Sequence, residues 1–540
     1  MGIIKRKAIY IVMFLQVICC ISGCQSPNKA QRMPDLGETI GSLVNIVYPE
    51  YLSVEGYGIV GGLRGTGSME CPPQIRAYLT RYIMAQLSED TLSEAERFIN
   101  SPDTAVVHIK ADLPVQDAKS EYFDVAVTAL PDTQTTSLEG GWLFPAEMKI
   151  AGSFGIVTEV LADAHGPVFI DKIGTSNIDK RTGFVLAGGK SLTDFRVVLT
   201  VKKPGFELSN AIRNRLNQRF GRDIARAVSP DRIEVTVPPK YREDRKRFIS
   251  LVRVLYLTET PELTRERINY YVEQLSLSPE SRESEFALEA IGNQSLADLF
   301  GLLNSSDERV RLRAARCMLN LGNSAGLEPL RRIAMDRSSD YRLEALAAMA
   351  SSAVSQQTAA AVARAMLNDP DFNVCLFAYE QLRKLNDVTI AREPIGKNFF
   401  LEQIVRSERK MIYVTRSGQP RIVLFGAPIF CNRDIFVQSP DKEITVNAPA
   451  GQEYLSIIRA HPVRDGVVAR MKSTFDLGDV IRTLCTEPFT DDQKGQEGQG
   501  GLGVSYAEVI TLLKQMCDKG AVNAEFLAGP LPKIGLNVKK

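Results

Sequence analysis

Alternating apolar and polar residues mark the first elements of this 540-residue chain. In residues 122–130, Phe123, Val125, Val127 and Ala129 alternate with Tyr122, Asp124, Ala126 and Thr128. That period of two predicts a strand with one buried face. Residues 45–48, 106–113, 196–202 and 232–238 predict further strands, with another near Met148. Residues 74–86 carry apolar positions at helical spacing and are entered through Pro72-Pro73, which suits a helix start. Residues 210–220 set Ala211, Ile212, Leu216 and Phe220 on one side of a second helix. The first part of the chain is therefore mixed α/β.

From Tyr241 to about Asp387 the period changes to that of helices throughout. Residues 307–315, 338–346 and 371–379 align with one another. Val310, Tyr341 and Val374 correspond, as do Ala314, Ala345 and Ala378. Each copy follows a shorter apolar helix, at residues 296–303, 327–335 and 358–367. A period of about 31 to 33 residues is the signature of a helical solenoid, and this block resembles HEAT-type repeats. Arg309, Arg311, Arg313 and Arg316 could hold an anion, but a solvated face balanced by neighbouring carboxylates is the simpler expectation. After the block the sequence turns β-rich at 411–415, 421–425 and 443–446. Residues 490–503 are polar and glycine-rich, as in a flexible loop. Ser505 and Glu508 form a capping box, with Val504 and Val509 as a hydrophobic staple, and Gly520 suits the end of that last helix.

One segment stands outside these periods. Residues 56–67 carry Gly56, Gly58, Gly61, Gly62, Gly65 and Gly67 around Tyr57. Gly56, Gly58 and Gly61 spell the letters of a dinucleotide-binding turn. That turn needs a helix opening at its last glycine, and the glycines that follow forbid one. A Walker loop fails for want of a Lys-Ser or Lys-Thr. The segment therefore predicts a backbone with positive-φ or tightly packed positions and no cofactor.

Composition adds bounds. Hydrophobic residues make up 44% and charged residues 24%, an ordinary globular balance that fits two to four domains at this length. A net charge of +1 implies no field-driven binding to nucleic acid. Cys71, Cys317, Cys375, Cys431, Cys485 and Cys517 lie far apart without a CxxC pair, which gives no support to a zinc site. Cys317 and Cys375 fall on apolar helix positions. A bridge of Cys485 with Cys517, or of Cys431 with either, stays open. His108, His165 and His461 sit beside no plausible nucleophile in the sequence, and no metal or catalytic set is expected.

The first residues place the chain. Lys5, Arg6 and Lys7 precede an apolar run over residues 8–20, too short to span a bilayer and suited to a signal-peptide core. Ile21-Ser22-Gly23-Cys24 resembles a bacterial lipoprotein cleavage box, which makes Cys24 the lipidated first residue of the mature protein. Gln25 after it resembles outer-membrane sorting. The expected localisation is the periplasm, with the chain anchored by lipid to the outer membrane.

Residues 45–240 resemble the bacterial flagellar P-ring protein family. The glycine segment 56–67 matches that family's signature nearly throughout. Asp124 to Val127 and the Ser137-to-Gly141 turn, with Gly140 and Gly141, match a second motif; Phe206 with Asn217, Phe220 and Gly221 match a third. Residues 475–484 and 504–526 resemble the end of such chains. Ser68 departs from the family's usual Asp, and a lipoprotein signal departs from its ordinary secretory one. The resemblance implies an α+β multidomain chain in which a P-ring-like α/β unit is interrupted by a HEAT-like solenoid and followed by a β-rich part. The expected division is a lipoprotein signal peptide at 1–23, a tether at 24–44 and the P-ring-like domain at 45–240. A helical connector at 241–285, HEAT-like repeats at 286–388 and a β-rich C-terminal region at 389–540 follow. It implies a non-enzymatic subunit of a homo-oligomeric periplasmic ring around the flagellar rod, in contact with other basal-body proteins. The alternative is an envelope lipoprotein scaffold that binds a protein partner through its helices.

Overall fold

The computed structural model describes residues 35–48, 51–86, 92–115, 122–153, 159–174, 178–193, 196–242, 244–278, 281–449, 451–460, 468–487 and 500–534. The signal and Cys24, His461 and most of the loop expected at 490–503 lie outside them.

A short strand, β1 (Val44–Val47), precedes β2 (Tyr51–Gly61), β3 (Thr104–Pro114), β4 (Tyr122–Ala129), β5 (Trp142–Ile150), β6 (Ala162–Pro167) and β7 (Thr182–Ser191). The last six close a barrel in the order β2-β3-β4-β7-β6-β5. Its interior is filled by the inward half of each alternating strand, among them Val107, Ile109, Val125, Val127, Leu143 and Met148. The period of two at residues 122–130 thus becomes an in-and-out pattern in β4. Helices Pro73–Gln86 and Leu92–Ile99 cover the outside of β2 and β3, where Ile59, Leu79, Ile99 and Val106 form a small second core.

The chain then builds an antiparallel sheet from β8 (Val197–Val201), β9 (Ala225–Ala227) and β10 (Arg232–Val235), and β1 returns to its edge to give the order β1-β8-β10-β9. Val197, Leu199, Val201, Ile233 and Val235 point to one face and pack with Ile212 and Leu216 of helix Phe206–Phe220 and with Phe248 and Val252 of helix Arg245–Val254. The opposite face of this sheet carries no helix among the described residues.

Helices Pro261–Leu277, Glu283–Ile291, Leu296–Leu302, Glu308–Asn320, Leu327–Met335, Arg342–Ser351, Gln356–Met366 and Phe372–Lys384 follow, and they share one continuous core. The three alanines aligned by the sequence period, Ala314, Ala345 and Ala378, are all fully buried in it. A side chain larger than a methyl would force neighbouring helices apart at these points. Asp307 and Asp371 cap two of the helices by accepting backbone N–H groups of Arg309 (2.7 Å) and Asn373 (2.9 Å). The expectation of a solvated arginine face is corrected here. Arg313 and Arg316 are buried, because Arg316 reaches back to Glu285 (2.5 Å) and Glu344 (2.6 Å) on neighbouring helices. Arg311 instead caps the carbonyls of Ser305 and Ser306.

The last part contains β11 (Ile390–Ile395), β12 (Phe399–Ile404), β13 (Met411–Val414), β14 (Arg421–Phe425), β15 (Ile435–Gln438), β16 (Ile444–Ala448), β17 (Leu455–Ala460), β18 (Val468–Ser473) and β19 (Glu525–Ala528). They form a mixed sheet, β11-β12-β14-β13-β19, and an antiparallel sheet, β15-β16-β17-β18. Helices Leu477–Cys485 and Tyr506–Asp518 pack with both. Ser505 and Glu508 form the expected capping box, and Gly520 takes φ +68°. Buried side chains tie the helical block to the mixed sheet. The Tyr379 hydroxyl donates to Glu402 (2.5 Å), and Arg421 pairs with Glu380 (3.0 Å). The six cysteines among the described residues are free thiols, so none of the candidate bridges among Cys431, Cys485 and Cys517 is formed. Burial pushes the Cys431 thiol up to about 12. No described helix is long and apolar enough to cross a membrane.

Candidate functional site

The glycine segment is a strand for half its length. Gly56, Gly58 and Gly61 lie within β2, and no helix begins until Pro73. Gly62 and Gly65 follow with φ of +80° and +85°, the left-handed region in which a Cβ is strained. Gly56 has a different reason. Its Cα faces the carbonyl oxygen of Glu147 on β5 so closely that any Cβ would run into that oxygen. Gly67 presses in the same way on the carbonyl of Thr104. Tyr57 points outward and stacks on His108, with ring centroids 5.0 Å apart. Burial lowers the His108 pKa, and Lys110 adds to that; Glu55, 3.3 Å away, opposes both.

The Ser137-to-Gly141 turn meets the end of the glycine segment. Thr66 donates its hydroxyl to the Ser137 carbonyl (2.8 Å), and Thr136 donates its backbone N–H to the Thr66 carbonyl (2.9 Å). Gly140 takes φ +72°, and Gly141 sits against Val60 and Leu63. These two motifs line one wall of a cleft of about 1190 Å³. The other wall comes from the C-terminal part, including Phe399, Gln419, Arg459, Ser505 and Tyr506. Tyr506 lies between Phe169 of the barrel side and Phe399, with centroids 6.1 and 5.3 Å away.

Asp124, from the strand of the second motif, fastens the two walls. Both oxygens of the Asp124 carboxylate accept the backbone N–H of Gly418, at 2.9 and 2.8 Å, and one also accepts that of Ala187 at 2.8 Å. Gly418 is the tip of the β13–β14 hairpin. Burial raises the Asp124 pKa, and those N–H donors oppose the rise. Beside it Arg416 pairs with Asp171 at 2.9 Å, and Lys514 donates to the Ile173 carbonyl at 3.1 Å. Sequence reading had placed Asp124 only as part of a strand motif. Its partner is 294 residues away, and no local pattern could name it.

Charge in the cleft is balanced pairwise. Lys172 is bonded to Glu139, with Lys180 3.2 Å from the same carboxylate. Burial would raise the Glu139 pKa, but the two lysines outweigh it and hold the carboxyl low. Asp441, Glu443 and Glu508 bring carboxylate oxygens within 4.8 Å of one another. Arg459 lies 3.4 Å from Glu508 and Lys172 3.9 Å from Asp441, so cations of the chain already face the group. Burial, then Asp441 and Glu508, raise the Glu443 pKa. His165 also lines the cleft, and it is exposed.

Fold and cleft together define a multi-unit α+β protein whose glycine-rich strand and turn shape a junction between two β units. Comparison with known proteins shows what the first part of the chain is similar to. Residues 39–269 match the family model described as flagellar P-ring protein. The flagellar P-ring protein of Thermotoga maritima is 27% identical over 263 residues, covering 46% of this chain and 71% of its own length. The Anaeromyxobacter dehalogenans protein of the same name is 28% identical over 239 residues, with coverage of 42% and 59%. That of Helicobacter pylori strain 26695 is 24% identical over 210 residues, with coverage of 38% and 58%. Residues 39–269 are thus similar to flagellar P-ring proteins.

Proposed function

We propose that this chain is a structural subunit of a P-ring-type assembly in the bacterial flagellar basal body. In that assembly, copies form a closed periplasmic ring around the rod. The observation that carries this reading is the family match over residues 39–269, which takes in the whole barrel and the sheet beside it. A ring of identical subunits needs a heterologous interface whose rotation closes. The junction between barrel and C-terminal part sets the orientation of the units that would form such an interface. Cys24 supplies a lipid tether to the envelope, to the outer membrane by the residue that follows it. Glycines 56 to 67 serve packing and turn geometry rather than phosphate binding.

The helices of residues 286–388 act as a HEAT-like module with a role of its own. Its support is that Ala314, Ala345 and Ala378, aligned by the period, are buried in one shared core. Deleting the gene and imaging basal bodies tests the proposal. The expected result is loss of motility and basal bodies that lack a periplasmic ring; normal motility with complete rings would overturn it. A Cys24→Ala variant is expected to leave the membrane fraction or to remain an uncleaved precursor. A mature, membrane-bound variant would refute the tether.

A further inference from the structure

The chain is almost neutral overall, yet its charge is sharply divided. Residues 196–253 hold 15 Lys and Arg against 6 Asp and Glu. Residues 259–308, which follow directly, hold 11 Asp and Glu against 3 Arg. The two stretches fold into adjacent parts, where Arg215 pairs with Glu259 and Arg247 with Glu285 and Glu289, and charges left over from these pairs lie on exposed surfaces.

The basic part shows it on the uncovered face of the β1-β8-β10-β9 sheet. Ile233 and Val235 of β10 point to the helices, so Arg232 and Glu234 point away from them. Arg226 of β9 stands opposite Glu234 in the register and shares that face. Arg196 and Arg232 both reach Glu234, at 3.0 and 3.1 Å. One carboxylate thus faces three guanidinium groups, and the face keeps a net positive charge. The acidic part exposes a stripe of carboxylates on helix Pro261–Leu277, whose exposed Arg265 is paired with Asp298 at 2.9 Å. Glu262, Glu266 and Glu273 are all exposed, and at spacings of four and seven they fall on one stripe. The helix is about 25 Å long at 1.5 Å per residue. The four strands span roughly 14 Å between outer axes at about 4.8 Å spacing. A helix of that length can cross the whole sheet.

We infer that the acidic stripe of one copy docks on the uncovered basic sheet face of the next, forming a head-to-tail interface between copies of this chain. The partner is a second copy because the chain carries both members of a complementary pair on different surfaces. One surface cannot satisfy the other within a single molecule, since residues 196–253 and 259–308 are already packed side by side through helices Arg245–Val254 and Glu283–Ile291. Two different surfaces meeting head to tail generate a ring or a filament rather than a two-fold dimer. Charge complementarity of this kind fixes partner and register and makes association depend on salt. The inference rests on the ring reading above and names the surfaces involved.

The test uses the full-length protein in detergent and measures its size distribution by sedimentation velocity. Three proteins are compared with the parent: E262K/E266K/E273K, R196E/R226E/R232E, and the two sets combined. All six positions are at the surface or on its edge, and circular dichroism checks folding. Assembly of the parent is expected to weaken as salt rises from roughly 50 to 500 mM. Each single set is expected to raise the concentration needed for assembly by about tenfold or more, and the combined set to restore it. Parent and single sets assembling alike at all salt concentrations would overturn the interface while leaving the ring reading intact. A parent that stays monomeric at every concentration and salt would overturn both.

Discussion

Gly56 shows what the glycine signature demands at the scale of one residue. It sits in a regular strand, so a permissive backbone is not what the position uses. Its missing side chain lets the carbonyl of Glu147 approach from β5. A Gly56→Ala change is expected to push β2 away from β5 and to cost roughly 1–3 kcal/mol, the usual penalty for overpacking. Thermal or urea unfolding would measure it. A Gly62→Ala change works through its φ of +80° instead, and is expected to cost roughly 1 kcal/mol with no clash, since a Cβ there would have nothing within 4 Å. Equal, negligible losses at both positions would contradict this division. Nucleotide binding abolished by substitution at Gly58 would contradict the packing account as a whole.

At the scale of elements, the buried charges between helices matter most. Arg247 of helix Arg245–Val254 meets Glu285 at 2.7 Å and also bonds Glu289, while Arg316 meets Glu285 from the other side. This group joins the basic sheet unit to the helical block. Burial alone would raise the Glu285 pKa; Arg247 and Arg316 outweigh it and hold the carboxyl at about 2. The folded pKa lies below the ordinary value of 4.5. Its contribution is therefore present above about pH 4.5 and is lost as the pH falls toward 2. Acid unfolding of the wild type should steepen across that window. A Glu285→Ala variant should lose that steepening and be less stable at neutral pH by up to roughly 3–5 kcal/mol, because each of two buried guanidinium groups loses one of its carboxylates. An unchanged acid profile would refute the role given to this carboxylate.

Elements were legible where their pattern was local. Strand β4, the helix after Pro72, the capping box at Ser505 and the helical character of residues 241–387 all follow from residues near one another. Strands β6 (ADAHGP) and β7 (TGFVLAGGKS) were not legible, because their small residues carry no apolar alternation and owe their place to the barrel around them. The glycine segment was legible as no phosphate loop, but not as a strand, since glycine has low strand preference and the closeness of β5 overrides it. Arg313 and Arg316 were misplaced in solvent for a related reason. A charge pattern along one helix does not show the carboxylate that a neighbouring helix brings. The cleft itself was half visible. Its barrel wall is made of motifs contiguous in sequence, whereas its other wall lies beyond the helical block.

At the scale of the whole molecule, Asp124 holds that cleft in shape. It carries two backbone N–H groups from distant parts of the chain, one on β7 and one at the β13–β14 tip. Asp124→Ala leaves both donors without their acceptor, and a cost of roughly 1–3 kcal/mol at the junction is expected. Hydrogen exchange should then quicken around Ala187 and Gly418 while the barrel core stays protected; Asp124→Asn should be milder. Exchange that rises equally everywhere, or nowhere, would contradict a local fastening role. The central claim is assembly of many copies into a closed ring. Electron microscopy of the full-length protein extracted in detergent tests it most directly. The account predicts closed rings of uniform diameter. Monodisperse single copies at every concentration would contradict it.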